Sequence, residues 1–333
     1  MKLGRYAART DPGRKRRGNE DSYVSRPPLF AIADGMGGAR AGEVASALAA
    51  GALEESGAGQ GGEAHVVELI QEANRRVHER ASTDAETSGM GTTITVALIE
   101  DDGSVTVGHV GDSRAYLLRG ERLEQLTDDH SLVAELVRRG ELSPQAAEVH
   151  PQRSVITRAL GTDADVDVDA FSVAAEPGAV FLICSDGLSD MVDGEQIEAI
   201  MNTHRSDLDA AAKALVQAAN RAGGEDNITA ILFDLVDGVP SGEPDERTKE
   251  IAVALDEEDT LHPEDGVLPP PAAEQVAAPA DTMVVGAADL EAAIAAQSPE
   301  PPQAGIGRRL LALAVIAALI AVIVALVWWG LAR

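Results

Sequence analysis

Four acidic residues stand beside glycine where a short apolar run begins or ends. Asp34 and Gly35 follow Phe30-Ala31-Ile32-Ala33, and Asp186 and Gly187 follow the run from Val180 to Ser185. Asp112 follows the run from Val105 to Gly111. Asp226 stands between Gly223-Gly224-Glu225 and the run Ile228 to Val236. Runs this short read as buried strands. Each acid is therefore expected at a strand end, where glycine lets the backbone turn sharply and come close to a bound group. One Asp-Gly alone is the commonest hairpin signal, and Asp102-Gly103 is read that way. Four such ends meeting in one place would gather carboxylates that cannot all stay ionised without compensation. Oxygen-rich, sulfur-poor surroundings suit hard divalent cations, Mn or Mg. The expectation is a carboxylate-bound metal cluster at the rim of a β core.

The elements that must position these acids follow from periodicity. Residues 3–10 and 21–25 read as short strands flanking a basic, glycine-bearing loop, Gly13 to Asp21. Helical patterning runs from Arg40 to about Leu53 and from Ala64 to Ala81, where Val66, Ile70, Ala73 and Val77 share one face. The β-branched stretch Gly91 to Ile99 reads as a strand. Thr127 to Ser131 marks a helix start, and Glu141 to Gly161 reads as a flap with short helices. Strands return at 166–173 and 179–184, helices at 194–201 and 206–222, and a last strand ends at Val236. Strands and helices arrive in blocks, which indicates an α+β fold with largely antiparallel sheets.

Composition sets outer bounds. A formal charge of −28 argues against a nucleic-acid binder, which needs a basic face. The lone cysteine, Cys184, lies in an apolar run and reads as a buried small hydrophobe. The first residues lack the apolar core of a signal peptide. Residues 238–307 hold 2 basic and 15 acidic residues and several prolines, a composition expected to form an extended, disordered linker. Leu310 to Trp329 is then twenty residues without a charge, long enough as a helix to cross ~30 Å of hydrocarbon. Arg308-Arg309 before it and Trp328-Trp329 at its end fit a single-pass anchor within residues 308–333. That arrangement puts the region before it on the cytoplasmic side of the cell membrane.

Taken in order, Arg16-x-x-x-Glu20-Asp21, Ala33-Asp34-Gly35-Met36-Gly37-Gly38, Gly89-Met90-Gly91-Thr92-Thr93, Gly111-Asp112-Ser113-Arg114, Cys184-Ser185-Asp186-Gly187 and Glu225-Asp226-Asn227-Ile228-Thr229 resemble the metal-dependent protein phosphatases of type 2C. The resemblance spans about Leu3 to Asp237, so residues 1–237 are expected to form the catalytic domain. It implies a four-layer α-β-β-α sandwich, two antiparallel sheets flanked by helices. It also implies a serine/threonine phosphatase that uses two Mn or Mg ions, with a third, weaker site in bacterial members. By the same resemblance Asp34 bridges the two metals and Gly35 lends a carbonyl, while Asp186 and Asp226 close the first site. Glu20 and Asp21 serve the second through water, and Arg16 binds substrate phosphate. Asp112, Asp186 and Ser154 would hold the third ion. With the tail, the chain is similar to membrane-anchored bacterial phosphatases that oppose serine/threonine kinases, so phosphorylated proteins, those kinases included, are the implied partners.

Phosphate monoesters hydrolyse extremely slowly, so the barrier must be lowered greatly. The chemistry implied is in-line attack by a hydroxide shared between two cations, with Arg16 forked onto phosphate oxygens. Some family members carry a histidine as general acid two residues after the bridging aspartate; here that residue is Met36, which transfers no proton. Neither His109, read as a packed strand residue, nor His130, read as part of a helix start, is given that task. Two rival readings keep the fold: a catalytically silent, membrane-tethered scaffold, and a phosphatase dedicated to one anti-sigma-antagonist-type phosphoprotein. In the linker, Thr260 and Thr282 each follow an acid and could be phosphorylated, although incidental polar residues in a spacer are the commoner case.

Overall fold

Which strands are central follows from how continuously apolar they are. The computed structural model describes residues 1–37, 41–57, 61–85, 87–237 and 283–284. In chain order the elements are β1 (Lys2–Asp11), β2 (Asp21–Arg26), β3 (Leu29–Met36), α1 (Ala41–Ser56), α2 (Glu63–Thr83), β4 (Gly91–Thr92), β5 (Ile94–Ile99), β6 (Val105–Val110), β7 (Arg114–Arg119) and β8 (Arg122–Gln125). They continue with α3 (Leu132–Arg138), α4 (Pro144–Glu148), β9 (Val155–Ile156), β10 (Asp169–Val173), β11 (Val180–Cys184), α5 (Asp186–Ser189), α6 (Gly194–Thr203), α7 (Leu208–Ala222), β12 (Ile228–Val236) and β13 (Met283–Val284). One sheet has the order β1-β12-β11-β7-β8, the other β10-β6-β5-β3-β2 with β4 beside β3, and every pairing within both is antiparallel. Strands β5, β6 and β11 are buried at every position, as interior strands covered on both faces must be. Polar β8, by contrast, takes a sheet edge.

Three apolar layers hold the sandwich together. Between the sheets lie Phe30, Ile32, Val107, Leu117, Ile231 and their neighbours, with Phe30, Phe233 and Phe181 stacked at centroid separations of 4.7 and 5.0 Å. Helices α1 and α2 cover the outer face of the β3 sheet through Ala45, Ala49, Leu53, Val66, Ile70 and Val77. Helices α6 and α7 cover the other sheet through Ile197, Met201, Ala211, Leu215 and Ala219. This gives the helix–sheet–sheet–helix order expected of the family fold. Alanine on the inner face of α1 lets that helix approach β3 closely, which matters for the site.

Four local expectations need correction. Asp34 does not end its strand, because β3 continues through Gly35 to Met36, where Gly35 and Met36 pair with Thr92 and Gly91 of β4. Asp186 is the first residue of the one-turn helix α5, two residues beyond β11. The run from Gly91 to Ile99 is broken at Thr93, whose amide turns to the Asp34 carbonyl at 2.9 Å. The strand expected from 166 begins only at Asp169, where pairing with His109 starts. No helix among the described residues is long and apolar enough to cross a membrane. The expected span 310–329, most of the linker, and Thr260 and Thr282 lie outside the described residues.

Candidate functional site

Asp34 is built into the middle of the site by its backbone. Its amide donates to Thr93 Oγ1 at 3.1 Å, and its carbonyl accepts from Thr92 Oγ1 at 2.8 Å. In the β2–β3 register Asp21 is its direct partner. Asp21 is held rigidly in turn: its Oδ2 accepts from Ser185 Oγ at 2.8 Å and from Thr229 Oγ1 at 2.5 Å. Two carboxylates thus face each other across neighbouring strands, one of them locked by hydroxyls from the other sheet.

A second group of contacts forms around Glu20. Its amide donates to Asn227 Oδ1 at 2.7 Å, and its carbonyl accepts from the Gly35 amide at 3.1 Å. Asn227 also donates from Nδ2 to the carbonyls of Pro12 and Gly18, so a single side chain closes the basic loop and aims Glu20. On the far side α1 presses on β3 at Gly42. A Cβ placed on Gly42 would lie 2.9 Å from both Glu20 Oε2 and the Gly35 carbonyl oxygen. Those two oxygens therefore border one small space that only glycine at position 42 leaves open.

The remaining acids close the arrangement from the other sheet. Asp112 sits in the β6–β7 turn, which is held by a pair of bonds with His130: the Gly111 amide donates to His130 Nδ1 at 3.0 Å, and the His130 amide to the Gly111 carbonyl at 2.8 Å. Asp226 accepts from Arg16 Nη2 at 2.7 Å, and its Oδ1 accepts from the Asn227 amide at 2.8 Å. Asp186 borders two clefts. One, of ≈ 730 Å³, also takes in Asp112, Arg114, Asp129 and Asp190. The other, of ≈ 340 Å³, takes in Arg16, Arg153, Ser154 and Asp226. Ser154 thus reaches the wall of the cleft beside Asp186, on the flap side, whereas Asp112 borders the other cleft.

Electrostatics tie these places together. Burial, then the charges of Asp21, Asp186, Asp226 and Asp112, raise the Asp34 carboxyl well above the usual range. Burial followed by Asp112, Asp190 and Asp226 raises Asp186 likewise. Asp21 is pushed up to about 6 by burial, against the lowering effect of its two hydroxyl donors, and Asp112 to about 7 by burial and the charges of Asp129 and Asp190. Among the described residues no group of three such side chains stands at the spacing of a ready-made metal cage. The residues nevertheless fit hard cations. Asp21 Oδ1 and Asp186 Oδ1 are buried oxygens without a hydrogen-bonding partner, and the donors around them are all oxygen.

Other candidates take the roles expected of them. His109 is buried in β6, its Nδ1 3.0 Å from Thr95 Oγ1 and its ring 4.7 Å from that of His130; burial, aided by His130, pushes it down to about 3. His130 precedes the α3 cap residue Ser131, and its Nε2 pairs with Asp169 at 3.1 Å. Neither faces the acids as a proton donor. Burial pushes the Cys184 thiol up to about 12, so it supplies no thiolate. Met36 packs with Ile156 and Ala159, joining the strand of Asp34 to the flap.

Sequence reasoning assigns no role to Gly42, Asn227, Ser185, Thr229 or Asp190. Gly42 leaves a trace as a glycine inside an alanine-rich helical pattern, a common sign of close backbone approach. Asn227, Ser185 and Thr229 stand inside the quoted motifs, but their task of holding Glu20 and Asp21 depends on pairing between distant strands.

The Protein phosphatase 2C family matches residues 14–228. Serine/threonine phosphatase stp of Listeria innocua is 40% identical over 238 residues, covering 68% of this chain and 94% of its own. Protein phosphatase PhpP of Streptococcus pneumoniae is 40% identical over 242 residues, with 68% and 95% covered. The crystal structure of the Mycobacterium tuberculosis serine/threonine phosphatase PstP/Ppp superposes with a TM-score of 0.66 at 40% identity, covering 70% of this chain and 98% of that one. A structure of the PstP catalytic domain with 2 manganese ions gives 0.63 at 37% identity, with 70% and 98% covered. Sequence, fold and the order of the acidic motifs agree, and the chain belongs to the protein phosphatase 2C family.

Proposed function

We propose that this protein phosphatase hydrolyses phosphoserine and phosphothreonine esters in proteins at the cluster around Asp34. Asp34, Asp186, Asp226 and the Gly35 carbonyl, with Glu20 and Asp21, would hold two Mn or Mg ions. Asp112 and Asp186, which border one cleft together, would hold a third, weaker one, while Ser154, on the other cleft, could reach it only from the Asp186 side. The observation that carries this reading is geometric: Asp21 and Asp34 are cross-strand partners, and Asp21 Oδ1 and Asp186 Oδ1 are buried without a hydrogen-bonding partner, oxygens that suit hard cations. When bound, the cations supply a water of lowered pKa and neutralise charge on the phosphoryl group.

The chain's own groups do the rest. Arg16 spends one N–H on Asp226, and its forked guanidinium suits phosphate oxygens in a way a lysine ammonium could not copy. Asp21, fixed by Ser185 and Thr229, is placed to accept a proton from water and orient it. Cys184 forms no covalent intermediate, because its thiol stays protonated and buried. Met36 gives no proton, so the leaving alkoxide takes one from water. Manganese-dependent phosphate release from a phosphothreonine peptide, set against a phosphotyrosine peptide of the same sequence, tests the substrate class.

The uncharged stretch 310–329 supports a further part of the reading: a membrane anchor that keeps residues 1–237 at the cytoplasmic face. Membrane-bound serine/threonine kinases and their targets would then be within reach as substrates. Protease accessibility of the domain in intact cells and in inside-out vesicles tests that placement.

A further inference from the structure

Within residues 238–333, Met283 and Val284 are the described pair, and they form β13. It lies parallel to β9 of the flap, with Met283 opposite Val155 and Val284 opposite Ile156. β9 is fixed from within. Ile156 bridges Ser131, the Thr157 amide donates to the His130 carbonyl at 2.8 Å, and Ile156 packs on Met36 and Ala159. Its other edge is where β13 pairs.

That edge leads to the site. Ser154 directly precedes Val155 and lines the ≈ 340 Å³ cleft with Arg16, Arg153, Asp186 and Asp226. In a parallel pairing both chains run the same way, so whatever precedes the first residue of the added strand is directed toward Ser154 and that cleft. Backbone pairing by strand addition binds an extended segment without demanding a particular sequence, and side chains at the next positions add selectivity. Lys15, Arg16 and Arg153 line the same cleft, each paired there with an acid, Glu225, Asp226 or Asp190, so an anion at the position before the strand would compete with those carboxylates for them.

We propose that β9 is the docking edge for extended phosphopeptides, and that residues 283–284 occupy it in cis as a competitor. The inference rests on the phosphatase reading above and deepens it. The substrate is an extended segment whose phosphorylated residue is followed at once by two apolar residues. Residues 283–284 hold the edge until a substrate displaces them, which lowers apparent affinity by the fraction of time the edge is filled.

The test uses the full chain and its variant carrying both Met283→Asp and Val284→Pro, which removes an apolar residue and a ladder N–H. KM for a phosphothreonine peptide with Met-Val after the phosphorylated residue is expected to fall at least about threefold. Turnover of p-nitrophenyl phosphate, too small to need the edge, stays unchanged. Equal KM values for the peptide, with p-nitrophenyl phosphate turnover intact in both proteins, overturn the docking proposal. If neither protein turns over either substrate, the phosphatase reading fails by itself. Binding of a fluorescent, unphosphorylated peptide of residues 278–288 to the double variant then decides the docking edge: saturable binding supports it, and none overturns it.

Discussion

Asp21 and Asp34 are direct cross-strand partners on β2 and β3, two carboxylates placed opposite each other where like charges ordinarily destabilise a sheet. The fold tolerates the pair because Ser185 and Thr229, from the other sheet, donate to Asp21, and because the pair lies among further acids that a cation would neutralise together. Neither residue is at a loop tip, so the pair is positioned as firmly as the sheet itself.

Stability of the cation-free protein should depend on pH in an unusual direction. Asp21 and Asp112 have folded values of about 6 and about 7, above the ordinary 3.8, so the folded state holds protons that the unfolded state releases. Their contribution is complete below 3.8 and is lost as pH rises through 6 and 7. His109 works the other way, since its depressed value costs stability as pH falls from 6.5 toward 3. Melting temperature in chelator should therefore drop between about pH 6.5 and about pH 8, where His109 stays neutral. Added Mn should flatten the drop. A chelated protein that melts no lower at the higher pH contradicts this.

Gly42→Ala tests the space bordered by Glu20 and the Gly35 carbonyl. The new methyl would stand 2.9 Å from both oxygens and 2.8 Å from the Gly35 carbonyl carbon. Half-maximal activity should need about tenfold more Mn, a loss of about 1.4 kcal/mol in cation affinity. An unchanged Mn requirement in a folded variant would show that this space holds no cation.

For Arg16→Ala the expected change lies in substrate affinity. Loss of a charge-assisted contact worth roughly 1.5–3 kcal/mol should raise KM for a phosphothreonine peptide by about ten- to a hundredfold. Mn affinity should be kept or improved, because Asp226 loses its ion-pair partner. Weakened Mn binding with unchanged KM would reverse the assignment.

Met36 is a packing residue, and its substitutions should act on the flap. Met36→Ala opens a gap against Ile156 and Ala159 and should cost about 2–4 kcal/mol, whereas Met36→Leu should cost less than about 1.5. Amide exchange at Ile156 and Thr157 should quicken in the alanine variant. Equal thermal stability of both variants would argue against the contact.

Much of the architecture is legible in the amino-acid sequence. Apolar runs locate nearly all the strands, and the acids beside glycine mark Asp34, Asp112, Asp186 and Asp226 as candidates. What periodicity cannot supply is register. That Asp34 lies inside β3 follows from β4 pairing with Gly35 and Met36. That Asp21 needs Ser185 and Thr229 follows from β2 meeting the ends of β11 and β12 across the sandwich. Gly42 is hidden for a similar reason, because a helical glycine shows its purpose only when the backbone pressed against it is known. Asp186 falls two residues beyond its strand because a single helical turn begins there, after Ser185, too short to leave any periodic signal.

Calorimetric titration of Mn into the full chain, its Asp34→Asn variant and its Asp186→Asn variant, with phosphate release from a phosphothreonine peptide followed on the same samples, is the most direct measurement. The wild type should bind at least two ions and turn over, while each variant loses at least one ion and about a thousandfold or more in rate, the scale of removing one electrostatic catalytic group. Variants that bind Mn and hydrolyse the peptide as the wild type does would contradict the assignment of these aspartates to the catalytic centre.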